Sequence, residues 1–182
     1  KKSVAIAPLQ QEYPQLVAWI AAEGTEMDYP VMQAEDNYFY LGHLYDGTEN
    51  PNGSIFMDFR NSPDCSDMNL VLYGHHMNDG SMFASLSKYK EQRYYDKHPT
   101  MTLYTPEGDY LIELVSGTVE DGNYEFVEFR FSSGKALMQY VERFRRSSTF
   151  RSNVEIDPDD RIITLCTCSY EQNNARYMVI GK

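Results

Sequence analysis

The feature that most constrains the fold is a strand–loop–strand unit near the end of the chain. Segment 161–170 is apolar and rich in β-branched residues, and a second short apolar run covers 176–180 after a polar loop that contains asparagine. Two such runs predict two neighbouring strands of one sheet. Cys168 closes the first run and Arg176 opens the second. The unit therefore brings a candidate sulfur nucleophile and a fixed positive charge to adjacent strand ends.

These residue types suit acyl transfer. The thiolate is the reactive form of cysteine, so a nucleophilic cysteine needs a partner that stabilises it. Attack on an acyl group also creates an oxyanion, which the planar, permanently charged guanidinium of arginine can stabilise. A second buried run, 69–73, is followed by Gly74, His75 and His76 and supplies the missing base. Adjacent residues of an extended chain point in opposite directions, so only one of the two histidines can face the cysteine, and the residues alone leave that choice open.

Ordinary structural roles are the alternatives for these residues. A cysteine outside a disulfide is usually a buried small hydrophobe, and a lone arginine is usually solvated or paired with a carboxylate. Cys166 shares a face with Cys168 and competes with it as nucleophile, while a disulfide between such near neighbours would be strained. Cys65 lies in a polar loop and is expected to be an unpaired thiol without a role. No second Cys or His pair has zinc-site spacing, so neither a metal nor a cofactor is predicted.

Several stretches together resemble a known family. Segment 164–168, Thr-Leu-Cys-Thr-Cys, resembles the Thr-Leu-x-Thr-Cys signature of the sortases, which are cysteine transpeptidases of Gram-positive cell surfaces. Segment 73–83, Tyr-Gly-His-His-Met-Asn-Asp-Gly-Ser-Met-Phe, resembles the histidine segment of class B sortases. Other stretches are similar to recurrent segments of that class and occur in the same order: 28–31, 53–58 and 60–62. The resemblance runs from about Leu16 to Ile180, and several ordered matches make it specific.

The resemblance implies a role for each residue of the site. Cys168 is the expected nucleophile, His75 the catalytic histidine because it directly follows the glycine, and Arg176 the essential arginine. Cys166 occupies the variable position of the signature and is not the nucleophile by this alignment. Positions that are expected to line the groove for the peptide substrate are Asn37, Leu41, Tyr73, Phe126, Val127, Cys166, Thr167 and Ser169.

The fold implied by the resemblance is mainly β, an eight-stranded sortase-type β-barrel with an N-terminal helix and a long helix inserted between strands 6 and 7. The pattern itself predicts seven or eight strands and about three helices, but not the strand order. Apolar residues at helical spacing predict an amphipathic helix at 13–23. A single catalytic domain, 1–182, would then consist of a helical segment at about 8–24 and a barrel at about 25–182.

The second half of the barrel has its own local signals. Segment 100–120 contains two apolar runs around a Pro-Glu-Gly-Asp turn and predicts a hairpin. Segment 125–131 alternates and predicts a further strand, on which the resemblance places Phe126 and Val127. A serine at 132 or 133 is expected to cap a helix that runs to about Arg146, with one apolar stripe.

Composition limits the partners and, with the resemblance, the location. The chain has 182 residues, 42% of them hydrophobic, which is enough for one globular core. Its net charge of −11 argues against a nucleic-acid partner. Sortases normally carry an N-terminal membrane anchor, so the full-length protein is expected at the extracellular face of the cell membrane, with the present chain following the anchor. We expect a monomer.

The function that the resemblance implies is cleavage of a C-terminal sorting signal after Thr through a thioacyl-enzyme intermediate. Transfer of the acyl group to a cell-wall amine would then anchor a surface protein to peptidoglycan. Three alternatives remain open at this point: a class B-like pilin polymerase with a pilin lysine as acceptor, a hydrolytic cysteine peptidase, and a peptide-binding domain without activity.

Overall fold

The computed structural model describes residues 3–167 and 174–182, and within them eight strands close into a barrel. The strands are β1 (Leu16–Ala21), β2 (Asp28–Met32), β3 (Ile55–Met57), β4 (Asn69–Gly74), β5 (Thr100–Thr105), β6 (Gly108–Asp121), β7 (Ile162–Thr167) and β8 (Ala175–Gly181). Their order around the barrel is β1-β2-β3-β4-β7-β8-β6-β5, and β5 pairs with β1 to close it. The α-helices are α1 (Ile6–Glu12), α2 (Gln92–Lys97) and α3 (Gly134–Arg145), and two 3-10 helices cover Phe39–Leu41 and Phe83–Lys90. The expected eight-stranded barrel is therefore confirmed.

The two strands that matter most for the site, β4 and β7, lie side by side and parallel. Their pairing runs without a shift from Asn69 opposite Ile162 to Gly74 opposite Thr167. Both strands are buried almost throughout, as continuous apolar runs in parallel pairs usually are. The Thr164 hydroxyl donates a buried hydrogen bond of 3.0 Å to Asn69 Oδ1 across the pair. As a result, the chain leaves β4 and β7 at the same end of the barrel, at neighbouring positions.

The helix expected at 13–23, and with it the helical segment at about 8–24, is wrong. Helix α1 covers Ile6–Glu12, and the next residues form strand β1. The apolar residues of β1 alternate between two environments, because Val17 packs inside the barrel while its neighbour Leu16 packs outside against α1. A strand covered on both faces shows a continuous apolar run, and part of that run coincided with helical spacing.

Helix α3 lies between β6 and β7, where the inserted helix was expected. Its N-cap is Ser133, whose hydroxyl accepts a 3.1 Å hydrogen bond from the backbone N–H of Ala136. The prediction of a strand at 125–131 is wrong, because this segment is irregular and pairs with no strand. Its side chains, including Phe131, pack against the apolar face of α3 instead of pairing in the sheet. The alternating pattern therefore reflected contact with a helix.

No helix among residues 3–167 and 174–182 has the length and apolar character that crossing a membrane requires.

Cys65, expected in a polar loop, is buried in the main core, with its Sγ 3.9 Å from the Val17 carbonyl oxygen. Burial raises the pKa of this thiol to about 11, so Cys65 is a core residue and a poor nucleophile.

The packing of β7 predicts a difference between two leucines. Leu165 is 1% exposed within β7, whereas Leu111 on β6 is 66% exposed. We expect Leu165→Ala to lower the free energy of unfolding by about 2–5 kcal/mol, because it leaves a cavity in the core. The matched change Leu111→Ala should cost less than about 0.5 kcal/mol. Chemical denaturation measures both values, and equal losses would mean that β7 is not packed as described.

Candidate active site

One groove lies over the end of the β4–β7 pair. It has a volume of about 340 Å³, and its described lining is Asn37, Tyr38, Leu41, Phe56, Tyr73, Gly122, Asn123, Tyr124, Glu125, Phe126, Val127, Cys166 and Arg176. Its floor consists of Phe56, Tyr73 and Cys166, which lie opposite one another on the adjacent strands β3, β4 and β7. Side chains of one sheet face therefore form the base of the groove.

Two irregular segments form the walls of this groove. The near wall belongs to the connection between β2 and β3, where Asn37 and Leu41 were expected to contact a substrate. The far wall is the connection between β6 and α3, residues 122–127, which includes the expected Phe126 and Val127. The structure thus brings both expected pairs to one groove, although the far wall is not a strand. Cys168 and Ser169 lie outside the described residues.

His75 is the histidine on the groove side of the fold. Its Nε2 lies 2.6 Å from the backbone oxygen of Leu41, a residue of the near wall. A carbonyl oxygen only accepts hydrogen bonds, so Nε2 carries the proton and Nδ1 is the nitrogen left to exchange protons. His76, in contrast, has its Nδ1 3.3 Å from the Ser87 hydroxyl. Of the two histidines, His75 is therefore the one that contacts a residue of the groove, and its catalytic role stays a prediction.

Arg176 reaches the same end of the barrel from β8. Its Nη1 donates a hydrogen bond of 3.4 Å to the carbonyl oxygen of Thr167, the last described residue of β7. Thr167 lies opposite Gly74, and Cys168 and His75 follow these two residues directly in the sequence. The guanidinium consequently lies at the point where the chain continues to the signature cysteine.

Thr167 does not line the groove with its side chain, so its expected contact with substrate or oxyanion is wrong for the hydroxyl. The residue is fully buried, and its Oγ1 accepts a 3.0 Å hydrogen bond from the backbone N–H of Tyr177. The same hydroxyl lies 3.4 Å from the Tyr177 carbonyl oxygen. Because both bonds join β7 to β8, the Thr167 side chain fixes the strand that leads to Cys168 rather than the substrate.

Cys166 lines the groove as expected, but in a setting unlike that of a nucleophile. It is 1% exposed and lies on β7 opposite Tyr73 on one side and Met178 on the other. Its Sγ is 3.6 Å from the carbonyl oxygen of Thr167. This burial leaves its Sγ little access to a substrate carbonyl in the groove. Cys166 is therefore suited to shape the groove floor.

The carboxylate of Asp58 binds both Tyr73 and Asn37. The Tyr73 hydroxyl and the Asn37 Nδ2 donate hydrogen bonds of 2.9 and 3.0 Å to Asp58 Oδ2. Burial, together with the negative charge of Asp58, raises the pKa of Tyr73 far above its ordinary value. Tyr73 therefore stays a neutral phenol. It contributes an aromatic surface to the groove, since its hydroxyl is already bonded.

Sequence reasoning missed part of the lining. Phe56 could have been found from alternation along β3, but its position depends on the pairing of Phe56 with Tyr73. Tyr38 and Tyr124, which are 78% and 73% exposed, belong to opposite walls of the groove. Exposed tyrosines in loops give no sequence signal of their own in a chain with 15 tyrosines.

The closed barrel, and the histidine and arginine at the end of the β4–β7 pair, agree with the expected class, the sortase-type cysteine transpeptidases. Residues 20–182 match the sequence model of the Sortase domain family. The chain is 35% identical over 176 residues to sortase B of Listeria monocytogenes, which covers 96% of this chain and 72% of that protein. The chain therefore belongs to the sortase family, and to its class B.

Solved structures agree with this assignment. The Staphylococcus aureus sortase B–substrate complex superposes with a TM-score of 0.91 at 32% identity, covering 97% of this chain and 83% of that one. A sortase B complexed with triglycine gives a TM-score of 0.90 at 32% identity, with the same coverage of both chains. The expected class and barrel are confirmed by sequence and by structure.

The contact between Gly122 and Arg176 predicts a sensitive position. A Cβ at Gly122 would lie 2.6 Å from Arg176 Nε and 2.5 Å from the Asn174 carbonyl oxygen, so the arginine would have to move. We expect Gly122→Ala to lower kcat/KM for transpeptidation by ~10²-fold, the usual scale for a misplaced catalytic group. A Cβ at Gly42 meets nothing within 4 Å, so Gly42→Ala is the matched control and should keep wild-type activity. Full activity of Gly122→Ala would show that Arg176 does not need its observed position.

Proposed function

We propose that this protein cleaves a sorting-signal peptide after Thr, forms a thioacyl enzyme at Cys168, and transfers the acyl group to a cell-wall amine. Its product would be a surface protein anchored to peptidoglycan. The observation that carries the proposal is the convergence of His75, Arg176 and the end of β7 at one groove. The groove has a volume of about 340 Å³ with aromatic and polar side chains on its walls, and the signature cysteine is the next residue after β7.

The first chemical step is acylation. In this mechanism the Cys168 thiolate attacks the carbonyl carbon of the Thr residue, and Arg176 donates to the oxyanion that develops. The imidazolium of His75 gives its Nδ1 proton to the leaving amine as the peptide bond breaks. The Leu41 carbonyl supports this role, because it accepts from Nε2 and keeps Nδ1 available. The products are a thioester at Cys168 and a released C-terminal peptide.

The second step is transfer to an amine. An incoming primary amine attacks the thioester carbonyl, neutral His75 accepts its proton, and the Cys168 thiolate leaves. The S. aureus sortase B–substrate complex and the sortase B complexed with triglycine support a peptide donor and an amine acceptor for this chain as well. We further propose that the protein acts as a monomer at the extracellular face of the membrane, where such acceptors occur, and that an N-terminal anchor holds it there.

The decisive experiment supplies both partners. A library of Thr-containing sorting peptides is incubated with the enzyme alone, with triglycine, or with a lysine-containing pilin-type peptide, and the products are resolved by mass spectrometry. We expect an acyl-enzyme mass on Cys168 and ligation of triglycine to the Thr carboxyl group. Hydrolysis only, with no ligated product at saturating amine, would indicate a cysteine peptidase. Exclusive use of a lysine-containing pilin-type acceptor would indicate pilus assembly, and absence of acyl enzyme would refute the proposal.

The assignment of the nucleophile predicts opposite behaviour for two nearby cysteines. Cys168→Ser should lower turnover by more than about 10³-fold, because a serine hydroxyl is not ionised as a thiolate is. Cys166→Ser makes the same replacement of sulfur by oxygen, but in the groove floor, and it should retain most activity. Peptide cleavage rates and trapping of the acyl enzyme measure both. A strong loss in Cys166→Ser with activity in Cys168→Ser would identify the other sulfur as the nucleophile.

The assignment of Arg176 predicts that charge alone is insufficient. Arg176→Lys should lower kcat by ~10²–10³-fold, nearly as much as Arg176→Ala, because an ammonium group does not reproduce the planar fork of donors. Arg143→Lys, at an exposed position on α3, is the matched control and should be silent. Retention of most activity in Arg176→Lys would contradict the role of Arg176 at the oxyanion.

A further inference from the structure

A buried carboxylate connects the floor of the groove to its near wall. Asp58, directly after β3, is 0% exposed. Its Oδ2 accepts from Tyr73 and Asn37, and its Oδ1 accepts from the backbone N–H and the Nε of Arg60 at 2.9 and 3.0 Å. Burial alone would raise the pKa of Asp58, but the bonds from Arg60, Tyr73 and Asn37 outweigh it and hold the pKa below its ordinary value. Asp58 is therefore an ionised centre with each of its oxygens bonded at least twice.

Arg60 carries this connection to the far wall. While its Nε and Nη2 bind Asp58, its Nη1 donates to Glu125 Oε1 at 2.5 Å. The guanidinium carbon also lies 4.3 Å from the centre of the Phe129 ring. Glu125 and Phe129 both belong to the connection between β6 and α3, and Glu125 lines the groove next to Phe126. One guanidinium thus joins the base of the groove to its opposite wall.

Neither Asp58 nor Arg60 belongs to the groove lining described above. Both act through residues that do: Asn37 and Tyr73 on one side, and Glu125 on the other. We infer that Asp58 and Arg60 are positioning residues that set the separation of the two walls, and that the Arg60–Glu125 ion pair holds the far wall at the separation that binds the peptide. This inference rests on the proposed function, in which the groove holds the peptide donor.

The two ends of the connection differ in strength. At the Asp58–Arg60 end, the carboxylate is fully buried, and Nε and Nη2 of the guanidinium each bind one of its oxygens. Such paired, charge-assisted hydrogen bonds are strong and directional. The Arg60–Glu125 end joins side chains that are 40% and 62% exposed, where an ion pair contributes little to folding. Removing the charge of Glu125 therefore loosens the far wall without removing a structural contact of the core, and the variant should fold.

The test compares Glu125→Gln with Glu128→Gln. Glu128 belongs to the same connection, is 53% exposed, pairs with Arg143 at 3.6 Å, and is not part of the groove lining. Both variants change the net charge equally. We expect Glu125→Gln to raise KM for the peptide by about 2–5-fold, with kcat and the KM for triglycine unchanged. Glu128→Gln should match the wild type, and both should keep the wild-type unfolding temperature.

A second comparison separates positioning from direct contact with the peptide. Arg60→Gln removes both the charge and the fork, so it cannot form the ion pair with Glu125, and it should raise the peptide KM by about 10-fold with little change in kcat. If Glu125 acts through Arg60, adding Glu125→Gln to Arg60→Gln should cause no further loss. Effects that multiply would show that Glu125 contacts the peptide itself, which would overturn the inference.

The outcomes distinguish the inference from the function on which it rests. If the wild type forms a ligated product but Glu125→Gln and Glu128→Gln behave alike, the positioning role is wrong and the proposed function stands. If the wild type forms no acyl enzyme with any peptide, the proposed function fails and the inference fails with it. A fall in kcat at unchanged peptide KM in Glu125→Gln would place the effect on the chemical step and would also overturn the inference.

Discussion

The parallel pairing of β4 with β7 is the constraint on which the rest of the site depends. The two strands are distant in sequence, yet six consecutive residue pairs match without a shift, from Asn69–Ile162 to Gly74–Thr167. A slip of one residue would turn every side chain to the other face, and it would also break the buried hydrogen bond between Thr164 and Asn69. That bond stabilises the register in which the residues before His75 and before Cys168 are neighbours.

The fold could be predicted from the sequence where one signal dominated. The apolar runs of β4 and β7, the hairpin of β5 and β6, and a serine cap at 132 or 133 were all found in this way, and the structure identifies Ser133 as the cap. Prediction of secondary structure failed where a segment is covered on both faces or packs against a helix instead of pairing in the sheet. Strand β1 is covered both by the barrel interior and by α1, and segment 125–131 packs on α3. Such tertiary contacts determine conformation there, and no local pattern distinguishes them from helical or strand periodicity.

For the site, the residues involved could be predicted from the sequence, but the contacts of their side chains could not. His75 and His76 are equivalent by pattern, and what distinguishes them is the contact of His75 with Leu41, which is far away in the sequence. Thr167 looked like a groove residue because of its place before the cysteine, yet its hydroxyl is used between β7 and β8. Cys65 stood among polar residues and is nevertheless buried. In each case a long-range contact determines the outcome, and the sequence alone does not contain it.

The groove divides its tasks between two kinds of structure. The floor and the end of the barrel beside it come from paired strands, in which Arg176 pairs with Glu120 on β6 and Thr167, at the end of β7, pairs with Gly74 on β4. The walls come from irregular segments, which lie outside the strand ladders and are joined to the floor by side-chain bonds to Asp58 and Arg60. The two kinds of structure are not independent, because the Leu41 carbonyl of the near wall binds His75 and Gly122 of the far wall packs against Arg176. Wall positions away from these two contacts are therefore the ones where loop variation can change the groove without moving His75 or Arg176.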